Sequence, residues 1–178
     1  MRKTWLCVFG VLLAVVPCRV LLGQSGHAGR DFLYEKPPEI SGKTWLNTKK
    51  PLTLKKLQKK GKVVILEFMI TSCPHCVPLV PRLKEIHGKY SGEDVVLIAV
   101  THEKAKKVGK WVKDNGIEYV VLSDPDVKTA TAYACRGAPY IYVISKNGRV
   151  CWQNWGQALD DDELDIALTA ARAVRKKK

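Results

Sequence analysis

Acidic residues are scarce in this 178-residue chain, 17 against 30 lysines and arginines, which leaves a formal net charge of +13. Such a surplus suits a nucleic acid, an anionic membrane surface or a well-solvated face. The lysines fall in separate clusters (49–50, 55–56, 59–62, 104–107 and 175–178), with no nucleic-acid motif and no aromatic array between them, so the charge reads as a solvated face and no nucleic-acid partner is expected. Long hydrophobic runs are also missing. The uncharged stretch Trp5 to Val16 has 12 residues, against the ~20 a membrane-spanning helix needs, and Arg19 interrupts the apolar pattern before it resumes at Val20. No internal repeat is visible, and the cysteines contain only one close pair.

Hydrophobic residues at 46% and charged residues at 26% exclude a disordered chain and a multi-span membrane protein. The length suits one domain with a terminal extension. Residues 1–25 read as an export signal: Arg2 and Lys3 form the positive start, Trp5 to Val16 the apolar stretch, and Gly23 with Ser25, or equally Gly26 with Ala28, the small residues of a cleavage site. A retained membrane anchor is the other reading of this segment. Cys18 follows a proline and lacks the pattern of a lipidation site. Loss of the leader removes Cys7 and Cys18 and leaves Cys73, Cys76, Cys135 and Cys151, in a periplasmic or extracellular setting where disulfides persist.

Residues 26–44, with Pro37-Pro38 and Ser41-Gly42, read as an irregular lead-in to a domain over 45–175, with a basic tail at 176–178. Trp45 and Leu46 suit a short strand. Pro51 to Leu57 alternates leucines and lysines as a short amphipathic helix beginning near the proline and ended by Gly61. Val63 to Ile70 is apolar except for Glu67, the pattern of a central strand covered on both faces. Strand, turn and helix then recur. Asp94 to Val100 and Glu118 to Leu122 are strands, His102 to Asn115 is a helix closed by Gly116, and Asp126 to Cys135 is a shorter one. Pro139 to Ser145 and Arg149 to Trp155 form a hairpin around Asn147-Gly148. Acids at 160–163 and bases at 172–178 match the dipole of a last helix. The alternation predicts an α/β fold with helices on both faces of a largely parallel sheet, closed by an antiparallel pair.

Cys73-Pro74-His75-Cys76 sits at the strand-to-helix junction that follows Val63 to Ile70. A Cys-x-x-Cys pair is half of a zinc site or a redox dithiol. Zinc would need two more ligands, and Cys135 and Cys151, sixteen residues apart, are no second close pair. With Cys73 at a helix N-cap and Pro74 at the first helical position, Cys76 lies one turn on, within disulfide reach. The unpaired amides of the first turn would favour a thiolate at Cys73, and a protonated His75 would add to that. Cys73 is therefore expected to attack and Cys76 to resolve. Glu67, six residues before Cys73 inside an apolar run, should be hard to ionise if buried; the alternative is an edge-strand residue facing solvent. His87 and His102 read as ordinary surface residues, and Trp152 and Trp155 as packing or rim aromatics.

Three separated stretches, Val63 to Cys76, Pro81, and Gly137-Ala138-Pro139-Tyr140 through Arg149, resemble thioredoxin-like proteins, in particular the exported bacterial branch of TlpA- and ResA-like thiol–disulfide oxidoreductases. The resemblance spans roughly 45–174. It implies a thioredoxin-like central mixed β-sheet flanked by helices, with Pro139 as a cis-proline facing the cysteine pair, Ala138 and Pro139 contacting substrate, and Glu67 as proton acceptor for the resolving cysteine. Protein thiols or disulfides would be the partners, together with a membrane redox partner, and no cofactor or metal is implied. Pro-His between the cysteines matches the strongly oxidising disulfide-donor branch. Ser72 stands where an aromatic residue usually precedes the first cysteine, and Met69-Ile70 replaces the common Trp-Ala. Two rival functions share this sequence: a copper(I)-binding or delivery module using the same two thiolates, and a redox-inactive interaction domain.

Overall fold

A computed structural model describes residues 28–173. The expected leader over 1–25, with Cys7 and Cys18, and the tail over 176–178 lie outside the described residues.

The sheet is organised around the strand with the strongest apolar run. β2 (Val63–Phe68) is buried at every position, because it pairs on both sides and is covered on both faces. β3 (Val95–Thr101) lies parallel to it and β4 (Val120–Ser123) parallel to β3, while β1 (Thr44–Leu46) is antiparallel to β4 at one edge. On the other side β5 (Tyr140–Ile144) and β6 (Val150–Trp155) add antiparallel, giving a six-stranded mixed sheet in the order β1-β4-β3-β2-β5-β6.

The pleat divides the core into two clusters. Val63, Ile65 and Met69 face helices α2 (Val80–Tyr90), α3 (Ala105–Asp114) and α5 (Asp161–Ala173). Val64, Leu66 and Phe68 face α1 (Leu54–Lys59), the short α4 (Lys128–Ala132) and the segment before β1. Each such aliphatic or aromatic side chain contributes ~1.5–3 kcal/mol on burial, enough in sum for this strand to carry one carboxyl, Glu67, in its middle.

Several boundaries differ from the sequence expectation for local reasons. α1 begins at Leu54 rather than at Pro51, because Thr53 Oγ1 accepts the Lys56 amide at 3.1 Å and the Glu39 carboxylate accepts the Leu54 and Lys55 amides. Gly61, at φ +69°, supplies the left-handed stop. The Asn147-Gly148 hairpin has positive φ at Gly148 alone, with the Gly148 amide bonding back to the Ser145 carbonyl; it is a wider turn than the two-residue type that dipeptide most favours. The lead-in forms no helix, yet it is part of the core: Phe32 and Ile40 are buried, and Tyr34 and Glu35 bond to the backbone of Val150. No described helix is long and apolar enough to cross a membrane.

Candidate redox site

β2 ends where Met69 still donates to Val100 at 2.9 Å, and the chain then turns. Cys73 donates its amide to the Ile70 carbonyl at 3.1 Å, and the Cys73 carbonyl accepts from Cys76 at 3.1 Å and Val77 at 3.2 Å. One helical turn thus follows Cys73, but a continuous α-helix does not. Residues 77–79 form a 3₁₀ turn in which Leu79 donates to Cys76, and α2 proper starts at Val80. The N-cap placement expected for Cys73 is corrected accordingly. Pro74, Pro78 and Pro81 carry no N–H, so the α-ladder cannot close through this segment.

The two thiols differ in environment. Cys73 is half-buried, and its Sγ donates to the Ala138 carbonyl at 3.5 Å. Cys76 is 1% exposed and packs with Leu79, Val80 and Leu83. Burial pushes the Cys76 thiol well above the ordinary cysteine range, its hydrogen bond with Cys73 adds to this, and the Ile70 amide pulls the other way. His75 lies exposed between them.

The opposite wall is the loop into β5. The Ala138–Pro139 peptide is cis. Pro139 is buried, and the Gly156 amide donates to its carbonyl at 2.9 Å. Two glycines permit this packing. A Cβ on Gly137 would meet the Trp155 ring at 2.8 Å, and one on Gly156 would come within 3.1 Å of the Pro139 ring. Trp155 therefore forms the rim beside Gly137 and Tyr140, whereas Trp152 is held on α5 by donation from Nε1 to Glu163 at 2.7 Å. Along this wall runs a groove of about 150 Å³ bordered by Met69, Ile70, His102, Cys135 and Ala138.

Glu67 lies behind the dithiol on the central strand, between Ala99 of β3 and Ile141 of β5. It is 2% exposed, and burial pushes its carboxyl from 4.5 up to about 8. Its side chain is on the same face as Met69 and the Cys76 cluster, and its charge acts on Cys76. The solvent-facing alternative for this residue does not hold, because β2 is interior to the sheet.

Cys135 and Cys151 are free thiols on opposite faces of the sheet, Cys135 donating to Gly137 at 3.2 Å and Cys151 to Val143 at 3.4 Å. Burial pushes both up to about 11. They neither pair nor complete a zinc site with Cys73 and Cys76, and among the described residues no group of three or more metal-binding side chains converges.

One contributor escaped the sequence reading. Glu103, just after β3, is buried beneath the turn and accepts both the amide and the hydroxyl of Thr71, two residues before Cys73. Its only signal was a lone acid beside Lys104, Lys106 and Lys107.

The chain is similar to the protein DipZ of Mycobacterium tuberculosis, 33% identical over 129 residues; that match takes in 67% of this chain and 18% of DipZ, so this chain spans under a fifth of that relative's length. It is 29% identical over 130 residues to the thiol–disulfide oxidoreductase ResA of Halalkalibacterium halodurans, covering 72% of this chain and 67% of ResA. Among solved structures, a putative thiol:disulfide interchange protein DsbE from Chlorobium tepidum superposes with a TM-score of 0.65 at 27% identity, covering 78% of this chain and 96% of that one. With residues 34–153 matching the family model and the thioredoxin-like sheet carrying the cysteine turn and cis-proline loop together, the chain belongs to the AhpC/TSA family.

Proposed function

We propose that this chain is an exported thiol–disulfide oxidoreductase that exchanges disulfides with protein cysteines through Cys73 and Cys76. The observation that carries the reading is the asymmetry of the pair: a half-exposed Cys73 facing the Ala138 carbonyl, over a Cys76 that is almost fully buried. Only Cys73 is presented to a partner. The Cys73 thiolate attacks one sulfur of a substrate disulfide, the substrate S–S bond breaks, and the departing sulfur takes a proton. Cys76 then gives its proton to the Glu67 carboxylate and attacks Cys73 Sγ. The mixed disulfide breaks, the second substrate thiol leaves, and a Cys73–Cys76 disulfide remains. Two electrons pass from the protein dithiol to the substrate, and the same steps in reverse oxidise a substrate dithiol. The half-buried Ala138 before the cis-proline, with the groove beside it, offers backbone and apolar surface to the substrate chain.

Cys76→Ser is expected to leave Cys73 able to attack but unable to be released, so a mixed disulfide with substrate accumulates on non-reducing gels, while Cys73→Ser traps nothing. Equal trapping by the two variants defeats this assignment of roles. Export rests on the Arg2–Lys3 start, the short apolar stretch and the small residues at 23–28. N-terminal sequencing of secreted material should find a start between Gly26 and Gly29; exported protein that still begins at Met1 would contradict cleavage. Each turnover leaves the dithiol in the wrong redox state for the next, and for an exported protein a membrane-bound redox partner is the proposed means of resetting it.

A further inference from the structure

Glu103 makes more directed contacts than any other buried acid near the dithiol. It is 9% exposed. Its Oε2 accepts the Thr71 amide at 2.7 Å and the Thr101 hydroxyl at 3.3 Å, its Oε1 accepts the Thr71 hydroxyl at 2.9 Å and pairs with Lys107 Nζ, and its backbone carbonyl accepts from Ser123 Oγ at 2.7 Å. Burial works against ionisation, but Lys107 and the two Thr71 donors outweigh it and hold the carboxyl below the ordinary glutamate value. Its neighbours thus favour the carboxylate, and charge-assisted bonds to a carboxylate are the stronger kind.

The Thr71 amide belongs to the same peptide plane as the Ile70 carbonyl, and that carbonyl accepts the Cys73 amide at 3.1 Å. The Cys73 carbonyl in turn accepts the Cys76 amide at 3.1 Å. One grip on Thr71 therefore bears on both cysteine amides, that of Cys73 through the Ile70 carbonyl and that of Cys76 through the Cys73 carbonyl.

We propose that Glu103 is a positioning residue for the dithiol: by holding the Ile70–Thr71 peptide plane it sets Cys76 in line with Cys73 for the step that breaks the mixed disulfide. This rests on Cys76 being the resolving thiol. Glu103 touches no sulfur and accepts no proton in the reaction. Misplacing a reacting atom by a fraction of an ångström penalises the step that needs alignment, whereas attack by Cys73 on an external disulfide tolerates it, since the incoming substrate can adjust.

The test uses the reduced chain after loss of the leader, with Cys135 and Cys151 replaced by Ser so that only the dithiol supplies thiols, and an aromatic disulfide that releases one coloured thiolate when Cys73 attacks and a second when Cys76 resolves. Glu103→Ala is expected to slow the second release about tenfold, the effect of losing a charged hydrogen bond, and to change the first by less than about twofold. Glu103→Gln should fall between, because its amide oxygen still accepts the Thr71 N–H. Hydrogen exchange at the Cys73 amide should quicken in the same order. If Glu103→Ala does not fold, Glu103→Gln alone decides, with the same selective slowing expected. A second release at the wild-type rate in a folded variant overturns the proposal, as does equal slowing of both releases, which would mark a merely structural residue. Cys76→Ser separates the two layers. It should stop after one release; if it yields both, the resolving role falls and Glu103's role with it. If it stops at one while Glu103→Gln resolves normally, only the role of Glu103 falls.

Discussion

Replacing Glu67 by Gln keeps the size and shape of the side chain and removes its charged state. In the native protein the carboxyl is held near pKa 8 by burial, so at pH 7 about a tenth of the molecules carry the base form. General-base assistance from a positioned group is worth ~10²–10⁴, so on the proposed base role even this minority population should raise the resolution rate roughly tenfold or more over the unassisted step. Cys76 needs this help, because burial makes its thiol reluctant to ionise. Cys73 is half-exposed, and its attack on substrate does not pass through Glu67. Stopped-flow measurement of the two steps should therefore find resolution slowed at least about tenfold in Glu67→Gln, with alkylation of Cys73 nearly unchanged. In the wild type the resolution rate should rise with pH toward an inflection near 8, and the variant should lose it.

Stability provides an independent reading of the same residue. A folded-state pKa raised above the unfolded value means that the native state holds the proton more tightly. Native stability is then fully present below about pH 4.5 and falls as pH rises toward 8. The accumulated loss at pH 7 is on the order of 3 kcal/mol. Glu67→Gln escapes that loss, so the variant should match the wild type near pH 4.5 and exceed it near pH 8 in urea unfolding. An unchanged resolution rate together with an unchanged pH profile would refute the base role, and equal stabilities at pH 8 would refute the burial argument beneath it.

Two further outcomes follow from other residues. Asp94 accepts from Arg172 at 2.8 Å and pairs with Lys146 at 2.6 Å, and these partners, Arg172 first, hold its carboxyl down at about 2. A depressed acid stabilises the fold above its unfolded value near 3.8 and loses that stability as pH falls toward 2. Asp94→Asn should accordingly cost roughly 1–2 kcal/mol at pH 7, after discounting for solvent screening, and only a small fraction of that at pH 2, as read by urea titration at the two values. For the dithiol itself, the Pro74-His75 pair resembles that of the oxidising disulfide-donor branch, and on that resemblance the disulfide is expected to be the easier form to reduce. Equilibration with glutathione should give a potential well above the roughly −270 mV of thioredoxin, and a value at or below that would contradict an oxidising or isomerising direction.

The parts of this molecule legible in the sequence are those whose cause is local. The run Val63 to Phe68 is apolar on both faces because β2 is buried on both faces, and Glu67 stands out because its neighbours are. The cysteine spacing, the Asn147-Gly148 turn and the acid-to-base gradient of α5 act within a few residues of themselves. The late start of α2 is also written locally, in Pro74, Pro78 and Pro81, which carry no N–H. Phe32 and Ile40 gave no such signal. They are buried by contacts with β5, β6 and α4 far along the chain, and a segment with no periodicity of its own reads as a linker until those elements are placed.

Glu103 shows most clearly where local reading stops. Nothing near residue 103 indicates what its carboxylate holds, because Thr71 lies 32 residues earlier. The pairing comes from the sheet: β2 and β3 run parallel with Phe68 opposite Val100, so each chain leaves its strand at the same level and three residues later has reached Thr71 on one side and Glu103 on the other. Any polar side chain that follows β3 at that interval faces the turn that carries the cysteines. A parallel register thus turns two unrelated loop residues into one support for the dithiol, and a register slip of one residue would send the carboxylate to the wrong side of the sheet. The apolar residues that set the register, Val63 through Phe68 against Val95 through Val100, are in this way part of what aligns the sulfurs.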